Sequence, residues 1–153
     1  MGQSGWAQQA YLKAPVPDTD NRFGVAVAVS GNTVLVGSER EDSSTSGINT
    51  VPNALGFRNG AAYVFERTGV TWAQQAYLKA SNSGESDWFG ATVSLDGNLA
   101  VVGAYVEDSS GSGVDSVPDN AGTNSGAVYV FERKGSDWRQ RAFLKASNMG
   151  PND

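Results

Sequence analysis

The chain has 153 residues, a formal net charge of −5 and neither histidine nor cysteine, which excludes disulfides, thiolate metal sites and a Ser-His-Asp triad within the chain. Its eleven basic residues are scattered, whereas nucleic-acid binding relies on clustered Lys and Arg, so no nucleic-acid partner is expected. No apolar stretch approaches the roughly 20 residues of a membrane-spanning helix, and residues 1–5 lack the regions of a signal peptide, so neither membrane insertion nor a leader is expected in this chain.

The first predicted element is a strand over residues 6–14, Trp-Ala-Gln-Gln-Ala-Tyr-Leu-Lys-Ala. The same residues recur at 72–80 and a degenerate copy follows at 138–146, so successive starts lie 66 residues apart. A fixed period without gaps indicates a true internal repeat. We therefore divide the single fragment 1–153 into repeat units 6–71 and 72–137 and a partial third unit, 138–153.

Two further strands are predicted over 23–30 and 33–38, joined by a tight turn at Gly31 and Asn32. Both residue types tolerate the positive φ that a short hairpin needs. Large and small side chains alternate along the first of these strands, which suits the crowded centre of a fold. Strand 6–14 is more polar, and its Lys13 suits an outer edge, where lysine discourages pairing with other chains.

A long loop over 39–60, rich in Ser, Gly, Asn and Asp, precedes a fourth predicted strand at 61–67, and the equivalent loop of unit two is 105–126. Such loops are expected to decorate the surface. Four antiparallel strands recurring at a fixed period are typical of a β-propeller blade. The sequence therefore predicts an all-β fold of two four-stranded antiparallel blades plus one extra outer strand, because 6–14 and 138–146 both match the outer strand.

Three motifs recur in the same order in both units: Phe-Gly at 23–24 and 89–90, Val-Gly at 36–37 and 102–103, and Tyr-Val-Phe at 63–65 and 129–131. They resemble the FG-GAP repeats that build the propeller of integrin α subunits and occur in many bacterial extracellular proteins. The resemblance implies a propeller module of an extracellular or cell-surface protein of the adhesin kind.

Integrin-type repeats often carry a calcium loop of the Asp-x-Asp-x-Asp-Gly type after the Phe-Gly strand. Here that connection consists only of residues 30–33 and 96–99, which are too few and too poor in carboxylates for such a site. The family's usual calcium site therefore does not carry over, and no cofactor is expected to be required.

The long loops hold the remaining candidate calcium ligands. Their side-chain oxygens belong to Glu41, Asp42, Asn49 and Asn53 in unit one and to Glu107, Asp108, Asp115 and Asp119 in unit two. Calcium takes six to eight oxygen ligands, including carboxylates and amides. Solvated loop polarity accounts for most of these residues, so calcium binding is the alternative interpretation, with the second loop as the better candidate.

Tryptophan recurs at positions 6, 72 and 138. Apolar residues locked to one position of a stacked repeat usually build the shared core, so these three are expected to pack between blades. Trp88 replaces Arg22 of unit one and stands outside this pattern. It is therefore the candidate aromatic ligand contact.

These features favour a non-catalytic structural or interaction module that contacts a protein or glycan through its long loops. A calcium- or glycan-binding module of the lectin type is the alternative. A carbohydrate-active enzyme using Glu107 and Asp108 is less favoured, because the two carboxylates are sequence neighbours without a recognisable apolar pocket.

The two complete units also predict self-association. A blade buries its faces only against other blades, and rings need roughly four to eight of them. Two-blade chains joined head to tail close only into rings with an even number of blades. A homodimer is the favoured form because it needs the fewest chains.

Overall fold

The computed structural model describes residues 5–148, which form eight β-strands. The strands are β1 (Ala26–Ser30), β2 (Thr33–Ser38), β3 (Ala61–Thr68), β4 (Thr71–Leu78), β5 (Thr92–Asp96), β6 (Leu99–Ala104), β7 (Ala127–Lys134) and β8 (Asp137–Leu144). Two four-stranded antiparallel sheets follow chain order: β1 to β4 form blade 1, and β5 to β8 form blade 2. The all-β prediction and the prediction of two four-stranded blades are confirmed.

The hairpin between β1 and β2 forms where the sequence predicts it. Ser30 pairs with Thr33 across the turn, and Gly31 adopts the positive φ of 57° that glycine accepts without steric cost. Asn32 then ties the turn to the end of β3, because its backbone oxygen accepts a 2.8 Å bond from the Arg67 amide. Blade 2 repeats this arrangement at Asn98 and Arg133.

The main core lies between the blades. Leu35 and Val64 of blade 1 pack with Phe89, Tyr129 and Phe131 of blade 2, and all five side chains are buried. A second, smaller cluster covers the opposite face of blade 1. Most of the apolar surface that stabilises the fold is therefore buried where one blade meets the next.

Phe89 and Gly90 connect the two blades. The Phe89 amide donates a 3.2 Å bond to the Asn59 oxygen, and Phe89 forms a parallel bridge with Gly60. Gly90 has a φ of 92°, and a Cβ at this position would collide with the Ala61 backbone oxygen. Only glycine permits this approach of two backbones.

The prediction of a strand over residues 6–14 is wrong. These residues adopt no regular structure although 72–80, with the identical sequence, supply most of β4. Blade 2 obtains its outer strand from β8, so 6–14 has no sheet to join within the described residues. A strand needs a neighbour for its backbone groups. Trp6 is fully exposed here, so the packing expected of it is also absent.

The predicted outer strand lies at the edge of each sheet, as β4 and β8, but the role predicted for its lysine, an exposed charge at that edge, is wrong in both blades. Lys79 and Lys145, the counterparts of Lys13, have fully buried side chains. The long loops cover this end of the outer strands: Ile48 bridges Leu78 in blade 1, and the equivalent bridge forms in blade 2. The loops thus protect strand edges and bury polar groups as well as covering the surface.

Candidate functional site

The predicted ligand Asp119 organises its own loop. Its Oδ1 accepts bonds from the amides of Ser110 (2.7 Å) and Ala121 (3.0 Å), and its Oδ2 accepts from the Ser110 hydroxyl. These bonds lower the pKa of Asp119 below its usual value. Asn53 plays the same structural role in the first loop, because its Oδ1 accepts a 3.0 Å hydrogen bond from the Ser44 amide.

Asp115 and Asn49 fasten the loops to the outer strands. Asp115 Oδ1 accepts a 2.8 Å bond from the Phe143 amide, while the Asp115 amide donates to the Phe143 oxygen at 2.7 Å. Asn49 makes the same two bonds with Tyr77. Both residues have positive φ, 52° and 55°, a conformation that Asp and Asn adopt more readily than most residues.

Asp42 and Asp108 close the two long loops at their other end. Asp42 Oδ1 accepts a 2.7 Å bond from the Arg58 amide. Asp108 Oδ1 accepts a bond of the same length from the Asn124 amide. One oxygen of each carboxylate therefore holds the returning arm of its loop.

Glu41 and Glu107 lie in the interior and face lysines. The Lys79 ammonium donates to Glu41 Oε2 (2.9 Å) and to two backbone oxygens, those of Ser43 (2.6 Å) and Gly60 (2.7 Å). All three of its N–H groups have acceptors, as a buried charge requires. Burial lowers the pKa of Lys79, and the charge of Glu41 opposes that shift.

Blade 2 repeats this ion pair and adds a polar cluster around it. Lys145 Nζ donates to Glu107 Oε2 at 2.6 Å, and Asn82 Nδ2 donates to Glu107 Oε1 at 2.7 Å. The Tyr129 hydroxyl donates to Asn82 Oδ1. Sequence reasoning missed both ion pairs, although the lysine and the glutamate recur together at the repeat period.

Asp87 is a buried carboxyl beside this cluster. Its Oδ2 accepts a 2.8 Å bond from the Gly84 amide. Burial raises the pKa of Asp87 to about 7, and the charges of Glu107 and Asp108 add to the effect. Unit one has Asn21 at this position, and its Oδ1 is buried without a hydrogen-bond partner among the described residues.

The candidate calcium ligands and the candidate catalytic pair all have hydrogen-bond partners within the protein. Each predicted loop ligand already bonds a backbone amide or a lysine, and within residues 5–148 no group of three or more acidic side chains converges to hold a metal ion. Glu107 is buried against Lys145, whereas Asp108 holds the loop at Asn124. Calcium binding stays a prediction.

Trp88 packs at the surface of the junction. Its ring meets that of Tyr105 edge to face at 5.3 Å, and the Arg40 guanidinium lies 5.8 Å from its centre. Tyr105 is largely exposed. The interpretation of Trp88 as a ligand contact stays a prediction.

Trp138 packs between the blades as predicted, whereas Trp72 packs on the opposite face of blade 1, against residues 6–14. Trp138 is buried, and its Nε1 donates across the blade junction to Gln75 Oε1 at 2.8 Å. Trp72 packs against the second cluster, and its Nε1 donates to Gln9 Oε1 at 3.0 Å. Sequence reasoning did not foresee that a glutamine accepts both bonds.

The long loops expose large apolar side chains even though their backbones are tied down. Val51 is 84% exposed and its counterpart Val117 is 83% exposed. Leu55 and Val114 project in the same way. Contiguous apolar patches mark contact sites, whereas single exposed apolar side chains are ordinary on a protein surface, so these residues define a hypothesis for testing.

Comparison with known protein families gave a match. The family model described as FG-GAP repeat matches residues 6–65 and 72–131. The chain matches no curated protein significantly. Residues 5–148 contain no helix long and apolar enough to cross a membrane.

Proposed function

Because this chain belongs to the FG-GAP repeat family, whose repeats are β-propeller blades, we propose that it is a non-catalytic structural and protein-interaction module. Such repeats typically occur in extracellular or surface proteins. The proposed setting is therefore an extracellular or cell-surface protein of the adhesin kind, in which the long loops contact a partner protein and the blades associate with further copies of the chain.

The observation that carries the loop proposal is the paired exposure of Val51 and Val117. The two valines occupy the same repeat position and are 84% and 83% exposed. The side-chain oxygens of Asn53 and Asp119 hold the adjacent backbone in place by accepting hydrogen bonds from backbone amides. Because these loops are already ordered, they would lose little conformational entropy when a partner binds. The loops thus offer two equivalent apolar contacts on a fixed frame.

The proposal that the module is non-catalytic is supported by the hydrogen bonds of the loop carboxylates, which already bind other groups of the protein. Glu41 and Glu107 neutralise buried lysines, and Asp42 and Asp108 hold loop amides. General acid or base catalysis needs a group that reaches a substrate. Burial raises the pKa of Asp87 to about 7, but its side chain is buried away from any substrate.

An array of extracellular proteins tests the loop proposal. The wild-type chain is expected to bind at least one protein, and the double variant Val51→Ser with Val117→Ser to lose at least about tenfold in affinity, because fully burying one valine side chain is worth about 1.5–3 kcal/mol. Val70→Ser is the matched control, since Val70 is similarly exposed but lies in the β3–β4 turn. Equal binding by all three chains would contradict the proposal.

Glycan binding is the second candidate, and the pairing of Trp88 with Tyr105 favours it. Tyr105 is exposed and Trp88 is partly exposed, and aromatic rings at a surface supply apolar faces for sugar rings. A glycan array with the wild type and Trp88→Ala is the test. Binding that disappears in the variant, together with no protein hit, would favour this candidate over the first.

A further inference from the structure

The junction between the blades shows how the face of one blade packs against the face of the next. We call the side of each blade that carries its Phe-Gly pair the leading face and the opposite side the trailing face. At the junction the trailing face of blade 1 packs against the leading face of blade 2. The trailing residues there, Leu35, Ala62, Val64 and Ala76, are almost completely buried.

The two remaining faces are only partly covered within the described residues. On the leading face of blade 1, Val27 and Val29 are 61% and 67% exposed, whereas Leu95, the counterpart of Val29, is 9% exposed. On the trailing face of blade 2, Val101, Val128 and Val130 are only half-buried. These faces are the repeat equivalents of the two that already fit each other at the junction.

An open groove on blade 2 matches the seat of Phe89 and Gly90 on blade 1. That seat is formed by residues 37–38 and 60–61. The equivalent residues, 103–104 and 126–127, line a groove of about 400 Å³. The groove therefore has the geometry that receives a Phe-Gly pair.

Phe23 and Gly24 of a second copy fit this groove. Gly24 has a φ of 95°, close to the 92° of Gly90. No heavy atom of the described residues lies within 4 Å of a Cβ built on Gly24, so this backbone is free to be approached. The pair is already in the conformation that the junction uses, which reduces the ordering cost of docking.

Residues 6–14 occupy a place that such a second copy would need. Gln9 Oε1 accepts from Trp72 Nε1 at 3.0 Å and from Arg67 Nη1 at 3.3 Å. At the junction, Gln75 Oε1 of β4 accepts the equivalent bonds, at 2.8 and 3.3 Å. Leu12 and Ala14 likewise pack on blade 1 as their counterparts in 72–80 pack on blade 2.

The outer strand of blade 2 is a poor substitute for this segment. It carries Arg141 at the position of Gln75 and Gln9. An arginine has no acceptor for the indole N–H of Trp72, and Arg141 pairs with Glu132 at 3.2 Å. Residues 6–14 therefore hold blade 1 with a bond that β8 of a second copy lacks.

We infer that residues 6–14 act as an intramolecular substitute for the outer strand of a neighbouring blade and compete with β8 of a second copy for the leading face of blade 1. The inference rests on the self-association in the proposed function and adds that residues 6–14 regulate this association. Head-to-tail association requires this segment to leave.

Sedimentation velocity over a range of concentrations tests the competition. Gln9→Ala and Arg141→Gln are each expected to tighten self-association by about 2- to 10-fold, the value of one hydrogen bond. Gln8→Ala and Arg139→Gln are the matched controls, since both residues are exposed neighbours outside the contact described. If the wild type associates and neither variant tightens it beyond its control, the competition is wrong while self-association stands.

The faces themselves are tested by blocking one at a time. Val27→Asp with Val29→Asp blocks the leading face of blade 1, and Val128→Asp blocks the trailing face of blade 2. Each variant alone is expected to remain at 16.0 kDa, whereas their mixture regains one intact contact and forms a one-to-one complex. Circular dichroism verifies folding, and if Val128→Asp does not fold, Val101→Asp replaces it.

Other outcomes overturn the inference. Monomers at every concentration for the wild type and for Arg141→Gln would mean that something other than a second copy covers these faces. Association that survives the Val27→Asp, Val29→Asp variant would place the contact elsewhere. Neither result affects the loop proposal, which Val51→Ser with Val117→Ser tests independently.

Discussion

Lys79 and Glu41, which are 38 residues apart in the chain, form a 2.9 Å ion pair inside blade 1 with both side chains buried. The lysine belongs to the end of the outer strand and the glutamate to the long loop. The pair therefore joins the loop that carries Val51 to the sheet. Lys145 and Glu107 repeat it in blade 2.

Replacing Lys79 with Met is expected to destabilise the protein by about 3–5 kcal/mol, because Glu41 would remain as an uncompensated buried charge. The matched control is Lys13→Met, at the same repeat position but exposed, which is expected to change stability by less than about 0.5 kcal/mol. Urea unfolding measures both.

Adding Glu41→Gln to Lys79→Met should restore part of that loss, since it removes the stranded charge. Equal stability of Lys79→Met and Lys13→Met would mean that the ion pair does not hold the loop.

Asp87 is expected to make stability depend on pH. Burial raises its pKa to about 7 from 3.8, so the folded protein binds this proton more tightly than the unfolded chain does. Stability from this group is therefore full below about pH 4 and is lost as the pH rises through about 7, by at most about 4 kcal/mol.

Asp87→Asn should remove that dependence, as unit one has an asparagine at this position. Denaturant unfolding of both proteins between pH 4 and pH 8 measures the difference. Parallel stability curves for the two would show that Asp87 titrates as an ordinary carboxyl.

Gly90→Val is expected to disrupt the contact between the blades, because its Cβ would strike the Ala61 oxygen and its φ is 92°. Gly24→Val has the same backbone strain, with a φ of 95°, but an open surrounding. It should therefore cost only the strain, about 1–3 kcal/mol. Thermal unfolding distinguishes them, and equal losses would assign the whole effect to φ.

Removal of divalent cations is expected to leave the melting temperature unchanged. The loop carboxylates bond protein groups, Asp119 to the Ser110 amide and Glu107 to Lys145. Thermal unfolding with and without chelator is the measurement, and sodium chloride at matched ionic strength is the control. A fall of many degrees would instead identify a structural calcium site.

The local features of the fold could be predicted from sequence, because their causes are local. Gly31 and Asn32 mark the hairpin, and the repeat period fixes its copy in blade 2. The features that failed are non-local. Residues 6–14 and 72–80 are identical, yet only the second segment lies beside β3 and becomes a strand.

The acidic loop residues of the candidate site could be picked out from the sequence by their type. Their role in holding the loops together could not. Acidic residues in a Ser- and Gly-rich loop resemble solvated ligands until their partners are known. Glu41 faces Lys79 because the loop folds back on β4 through the bonds of Asn49 to Tyr77. Nothing in the loop's own composition specifies that return, which depends on a strand that follows it in the chain.

Hydrogen–deuterium exchange of the wild-type chain, with and without the strongest protein hit from the array, tests the interaction proposal most directly. Slower exchange on binding is expected at residues 50–57 and 116–123, the loop segments around Val51 and Val117. Slower exchange confined to the strands, with both loops unchanged, would contradict it.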